Sequence, residues 1–292
     1  MEAIIWSTLT VLSKALSYIS LALLTGWFYT RLPLGRYLLP EGGSSSYRHT
    51  LLVAALGLAL SSALWFSFST AAMAEQGVSG LYDPLMLEIM LQSSVGDTFI
   101  WRAVAGLSLL LIIWLCWESR AHFVTVLSAV CVGAALYSTG LTGHAAQLGG
   151  VQTWALLTHV LLICWWLGLL FNMRLLCAQL EAGELAVALE RFGRQAMWAV
   201  PLLLVLGGWL TLQLLGSWQS LFSDYGLVLL AKLCVVCAVL ALAARHKLQL
   251  VPKLQSEADT RAIARSINWE MAAAAAVLCA TAALTTVVGP QQ

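Results

Sequence analysis

The chain has 292 residues, 60% of them hydrophobic and only 10% charged, with a net charge of +1 and a mean hydropathy of +0.85. Soluble domains carry about 25% charged residues, so this chain lacks the charge to solvate its own surface and belongs in a lipid bilayer. The near-neutral balance excludes a nucleic-acid footprint, and the 13 Trp suit belts at the two membrane interfaces.

The opening stretch, MEAIIWSTLTVLSKALSYIS, places Glu2 where a secretory signal needs a basic region, and Lys14 interrupts its apolar run. It reads as a retained first span. A helix needs about 20 apolar residues to cross the hydrocarbon core. Eight stretches qualify, at roughly 4–30, 49–74, 99–117, 121–142, 152–176, 195–215, 225–244 and 267–288. The expected fold is all-α: a polytopic transmembrane bundle of eight spans, divided into halves at 1–140 and 141–292. Between spans two and three, Leu85, Leu87, Ile89 and Leu91 surround Met86 and Met90, a pattern for a short helix lying on the membrane surface. Pro201 and the Gly207-Gly208 pair lie within span six, where they kink a helix or admit a close neighbour.

Loop charge sets the orientation. Arg31, Arg36 and Arg48 lie in the first loop, Arg120 in the third, Arg174, Arg191 and Arg194 in the fifth, and Arg245, Lys247, Lys253, Arg261 and Arg265 in the seventh. The even loops hold Glu75, Asp83, Glu88, Asp97 and Asp224 and no cation. The odd loops are therefore expected in the cytoplasm and both termini in the periplasm. No phosphate loop and no serine-nucleophile motif occurs, so the sequence gives no reason to expect an enzyme.

This orientation sorts the histidines. His49, His122 and His246 fall on the cytoplasmic side. His144 and His159 fall on the outer side, flanking a glycine-rich turn without charge. At 1.5 Å per residue His159 lies about 10 Å inside span five. Two imidazoles on consecutive antiparallel helices are suited to a metal ion. The rival reading has His144 capping a helix end and His159 bonded to a neighbouring span. Met73, Met86 and Met90 share that side, and their thioethers suit Cu(I), although Met is also ordinary apolar filler. Cys234 and Cys237 lie on one face of span seven. The seven Cys sit almost entirely in apolar runs, which is no disulfide framework; Cys234 and Cys237 read either as a soft-ligand path or as small residues in helix contacts. Ionisable residues inside spans need partners. Arg102 has Asp97 or Asp224 within reach in sequence, and Glu270 has Arg245 or Arg265. Lys232 is a structural cation or part of a proton-coupled step.

The run from Ser223-Asp224-Tyr225-Gly226 to Lys232, the basic loop from Arg245 to Val251-Pro252-Lys253-Leu254, and Arg265-Ser266 leading to Glu270 together resemble the copper resistance protein D (CopD) family. Thr142-Gly143-His144-Ala145-Ala146 is similar to that family's Gly-His-Ala turn, and His159 followed by Trp166-Leu167-Gly168 to its His…Trp-x-Gly segment. The likeness is carried by residues 140–288; ahead of them it rests on span count and topology. Where the family often has Asp three residues before the helix histidine, this chain has Leu156, and Ala244 stands where the family often has Asn. Any partner that orients His159 must therefore come from another span.

The resemblance implies copper transport from periplasm to cytoplasm across the bacterial inner membrane, as part of copper homeostasis and resistance. It implies a periplasmic copper donor of the CopC type, here a separate protein because the predicted outer loops are short. On this reading copper is the bound or transported ion at His144 and His159, with Met73, Met86 or Met90, and Cys234, Cys237, Lys232, Glu270 and Trp166 line the path or support it. Two rivals stand beside it. A b-type haem carrier would use the same histidine pair as axial ligands, and a membrane scaffold or sensor would transport nothing.

Overall fold

The computed structural model describes residues 2–39, 45–143, 149–215 and 222–286. No strand occurs among them, and eight helices are long and apolar enough to cross a membrane. The spans are α1 (Glu2–Arg31), α2 (Ser45–Ala74), α4 (Ser94–Leu115), α5 (His122–Tyr137), α6 (Gly150–Leu176), α7 (Ala182–Leu215), α8 (Asp224–Arg245) and α9 (Glu257–Leu284). The short α3 (Pro84–Leu91) links α2 to α4. Its first turn is fixed by Asp83, whose carboxylate accepts from the backbone N–H of Leu85 and Met86, with Pro84 in the first position. Both are strong helix-start signals. The expected surface helix therefore forms, with Leu85 and Ile89 facing outward and Met90 buried.

Successive spans alternate in direction, so the bundle has a basic end, where the odd loops gather, and an opposite end. Helix α1 is the hub and packs against α2, α5, α6 and α9. With no hydrophobic drive between helices in lipid, small residues that let backbones approach decide where spans cross. Gly26 and Gly168 do this for α1 and α6. A Cβ on Gly26 would stand 2.5 Å from the Gly168 carbonyl carbon, and one on Gly168 would strike the Ala22 carbonyl oxygen. Gly106 plays the same part between α4 and α2, against the Ala55 carbonyl.

Two apolar clusters result. One joins α1, α2, α4 and α5 to the Cys164 face of α6. The other lies toward the basic end and joins Trp165, Trp166, Leu169, Leu170 and Met173 of α6 to α7, α8 and α9. Helix α6 thus has a face in each. Polar bonds add to this packing: the Tyr47 hydroxyl of the first cluster donates to Asn172 Oδ1 of α6 at 3.0 Å, Tyr29 to Gln195 Oε1 at 3.0 Å, and Arg174 Nε to Asn268 Oδ1 at 2.9 Å.

All eight expected spans form, but two begin earlier than their apolar runs. Helix α7 starts at Ala182 rather than near 195, and α9 at Glu257 rather than near 267. Both additions are amphipathic. Leu185, Ala188, Leu189 and Phe192 recur at helical spacing and are buried beside Leu254 and Ile263, while Glu184, Glu190 and Arg191 stay in the open. A capping box starts α9, with Ser256 and Asp259 each satisfying the other's backbone N–H.

Candidate functional site

His159 lies on α6, nine residues in from Gly150 and so about 14 Å along the helix from the end opposite the basic one. Its ring rests on α7. Nδ1 is 3.1 Å from the Leu203 carbonyl oxygen. A carbonyl can only accept, so Nδ1 carries the proton, and in the neutral ring Nε2 keeps the lone pair that binds metals. Gly207, one turn further along α7, makes room for this: a Cβ there would stand 2.7 Å from His159 Cε1. The orienting partner does come from another span, as the absence of a carboxylate at Leu156 requires. It is a backbone carbonyl, a common partner of metal-binding imidazoles. Helices α6 and α7 thus meet at His159.

His144 lies outside the described residues, as do the rest of 144–148. On either side of them Gly143, Gly149 and Gly150 all have positive φ, a conformation that explains the glycines. Met73 is exposed at the end of α2, Met86 is half-buried and Met90 buried in α3, which packs on α2 and α4. Trp166 is buried two turns deeper than His159, in the cluster toward the basic end. Cys234 and Cys237 are exposed on the outer face of α8, whereas Cys131 and Cys164 are buried. Among the described residues no group of three or more His, Cys, Asp or Glu side chains converges.

The two in-span cations that the sequence places in the first half of the bundle, Lys14 and Arg102, are buried, and sequence reasoning missed what holds them. Arg102 of α4 is 1% exposed and Lys14 of α1 is 4% exposed. Neither meets a carboxylate among the described residues, so Asp97 does not serve Arg102 as expected, and the Asp224 side chain lies outside the described residues. Arg102 Nε donates to the Ser138 hydroxyl at 2.9 Å, and its guanidinium lies 5.6 Å from the Trp65 ring centroid and 6.0 Å from that of Tyr18. Lys14 Nζ lies 5.9 Å from the same Trp65 ring and donates to the Thr285 carbonyl at 3.3 Å. Thr285 is the C-cap of α9, so the negative end of that helix takes the place of an acid. Aromatic faces and a helix end hold both charges, and neither device leaves a signature at a fixed spacing in the sequence.

Glu270 also departs from expectation. Arg245 and Arg265 are both exposed, and neither reaches it. Its neighbour is His246, whose Nδ1 lies 2.8 Å from Oε2. His246 opens a short π-helical turn, His246–Leu250, at the end of α8, and that widened turn swings the imidazole over α9. Among the described residues Glu270 is the one buried carboxylate, at 1% exposure.

No curated protein and no solved structure matches the chain. Two family models do. The one described as copper resistance protein D-like, N-terminal domain, matches residues 2–154, past the turn that follows α5, and the one described as copper resistance protein D matches residues 186–284. The first supplies, ahead of residue 140, the sequence likeness that span count alone did not. Eight apolar spans and these two matches make the chain a multi-pass membrane protein with a role in copper resistance, and it belongs to the copper resistance protein D family.

Proposed function

We propose that this protein carries copper from the periplasm to the cytoplasm across the bacterial inner membrane, taking it up at His144 and His159. The observation that carries the reading is the seating of His159. Its Nδ1 is held by the Leu203 carbonyl in a slot that only glycine at 207 leaves open, so Nε2 is oriented and free to bind. The basic loops gather at one end of the bundle, which the positive-inside rule assigns to the cytoplasm. On that orientation His159 and His144 face the periplasm. Met73, Met86 and Met90 lie toward the same side and serve as accessory thioether ligands near the entrance, with a separate periplasmic protein of the CopC type as donor. A cation seated on His159 is repelled by the Lys232 ammonium, so its arrival favours release of the lysine proton. Uptake is thereby linked to proton movement and needs no nucleotide.

The test is metal analysis and an absorption spectrum of purified wild type beside a His144→Ala/His159→Ala variant, with copper accumulation measured in cells. Bound copper in the wild type, its loss in the variant and a matching loss of accumulation are expected. Unchanged accumulation by a well-expressed double variant sinks the proposal, and a Soret band in the wild type would replace copper with haem as the group on these histidines.

A further inference from the structure

We infer that His246, Glu270 and Ser266 form a second cation site at the basic end of the bundle, built for a tetragonal copper ion. A buried cation needs an anionic ligand, and Glu270 is the one buried carboxylate among the described residues. It lies on α9 one turn from Ser266, which is 6% exposed, so both side chains lie on one face. Neither carboxylate oxygen of Glu270 holds a hydrogen bond, nor does the Ser266 hydroxyl or His246 Nε2. Oε2 is ion-paired with His246 Nδ1, and Nε2 lies across the ring from that contact; Oε1 and the Ser266 hydroxyl remain buried without hydrogen-bond partners, against the rule that such atoms are paired.

The geometry of the His246–Glu270 contact points to what is missing. Nδ1 and Oε2 are 2.8 Å apart, an ion pair when the ring is protonated, while Oε1 on the same carboxylate has no partner. Two ligands at about 2.0–2.1 Å from a shared metal stand about 2.9 Å apart when they subtend a right angle, and about 3.4 Å apart at a tetrahedral angle. The observed separation is that of a charge-assisted N–H···O bond and equally fits the right angle, the preference of Cu(II) for N and O donors. The second carboxylate oxygen and the serine hydroxyl add neutral or weak positions, and water completes the shell. A π-turn at His246 is the kind of local strain that marks functional helices. The inference rests on the proposed copper handling only for the identity of the ion. Binding here is measurable whether or not the protein transports anything.

The experiment uses the full chain in lipid nanodiscs. The His144→Ala/His159→Ala variant provides a background free of the outer site and is titrated with Cu(II), and its EPR spectrum is recorded. One tightly held equivalent is expected, with hyperfine coupling to a single imidazole nitrogen. Adding His246→Gln or Glu270→Gln weakens that binding by more than about 100-fold, beyond the 10–100-fold typical of losing an outer-shell partner. Ser266→Ala weakens it less than either. No bound copper in the background variant, or coupling to two nitrogens, overturns the inference without recourse to any further variant. So does unchanged affinity in folded His246→Gln or Glu270→Gln, because the pair is then a structural ion pair only. If the background variant binds copper as described but accumulation in cells matches wild type, the outer-site reading fails and this one stands.

Discussion

Replacing Gly207 with Ala separates the seat of His159 from the stability of the bundle. The added Cβ would lie 2.7 Å from His159 Cε1 and 3.3 Å from Nδ1. Carbon pairs rest at about 3.5–4.0 Å, so the ring must retreat by roughly 0.8 Å. The bond from Nδ1 to the Leu203 oxygen then stretches from 3.1 Å to about 3.9 Å, outside hydrogen-bond range. Losing that bond costs about 1 kcal/mol, while exchanging Gly for Ala inside a helix returns roughly 0.8–1.0 kcal/mol. Thermal stability should therefore barely change. Copper affinity should fall about 10–100-fold, the usual effect of removing the group that orients a metal-binding imidazole. Gly208→Ala is the matched control, because a Cβ there meets nothing within 4 Å. Copper titrations and thermal unfolding of the two variants in nanodiscs decide the matter. Equal copper affinity in Gly207→Ala and Gly208→Ala, with both folded, would refute the argument that this slot positions the ring.

Gly168→Ala should behave differently, because its Cβ meets the backbone of α1 at Ala22 and Gly26, which cannot turn aside. A loss of at least about 1–3 kcal/mol is expected, seen as a lower unfolding midpoint; a wild-type midpoint would show that α1 and α6 part freely. Ser138→Ala strips the one hydrogen-bond partner from Arg102 Nε and should cost about 1–3 kcal/mol, with Ser138→Thr restoring part of it if the hydroxyl is what matters. Cys177, at the C-cap of α6, has its thiol pushed up to about 11 by burial, against a smaller opposing effect of Arg174. Its thiolate fraction is therefore small at neutral pH and rises with pH until about 11. Maleimide labelling of Cys177, followed by peptide mass spectrometry, should climb about tenfold per pH unit from 7 to about 10, whereas an ordinary thiol of pKa about 8.5 levels off above about pH 9.

The spans were legible because each must carry about 20 apolar residues in an unbroken run, and this constraint acts locally on the sequence. The start of α7 was not legible by the same measure. Residues 182–194 carry Glu184, Glu190, Arg191 and Arg194, which lower any hydropathy average. The signal that was available is the helical recurrence of Leu185, Ala188, Leu189 and Phe192. Partners of buried polar groups were harder still. Opposite charge nominated Asp97 or Asp224 for Arg102, and Arg245 or Arg265 for Glu270, because sequence order displays charge and hides direction. Arg102 instead meets Ser138, Trp65 and Tyr18 from three other elements, and the π-turn after α8 delivers His246 to Glu270. That His159 would need a partner from another helix was legible from Leu156. That the partner would be the Leu203 carbonyl was not, because it depends on the register of α6 against α7.

Charge is distributed along the bundle in a way that bears on how a cation would cross it. Lys14, Arg102 and Lys232 lie within about 12–18 Å, measured along their helices, of the end opposite the basic loops. The one buried carboxylate among the described residues lies toward the basic end. On the proposed reading an ion at His159 would meet local repulsion and be drawn toward Glu270. Lys232→Met tests this balance. Like charges in one part of the bundle repel by an amount on the order of 1 kcal/mol at an effective dielectric of about 20, so removing the ammonium should tighten copper binding at His159 several-fold. Uptake should slow in the same variant, because the ion then leaves its first site less readily and no lysine proton is displaced. Copper titrations and proteoliposome flux read the two effects separately. If Lys232→Met binds copper no more tightly than wild type, the lysine does not oppose the ion at His159, and the proposed link between copper entry and proton release has no electrostatic basis.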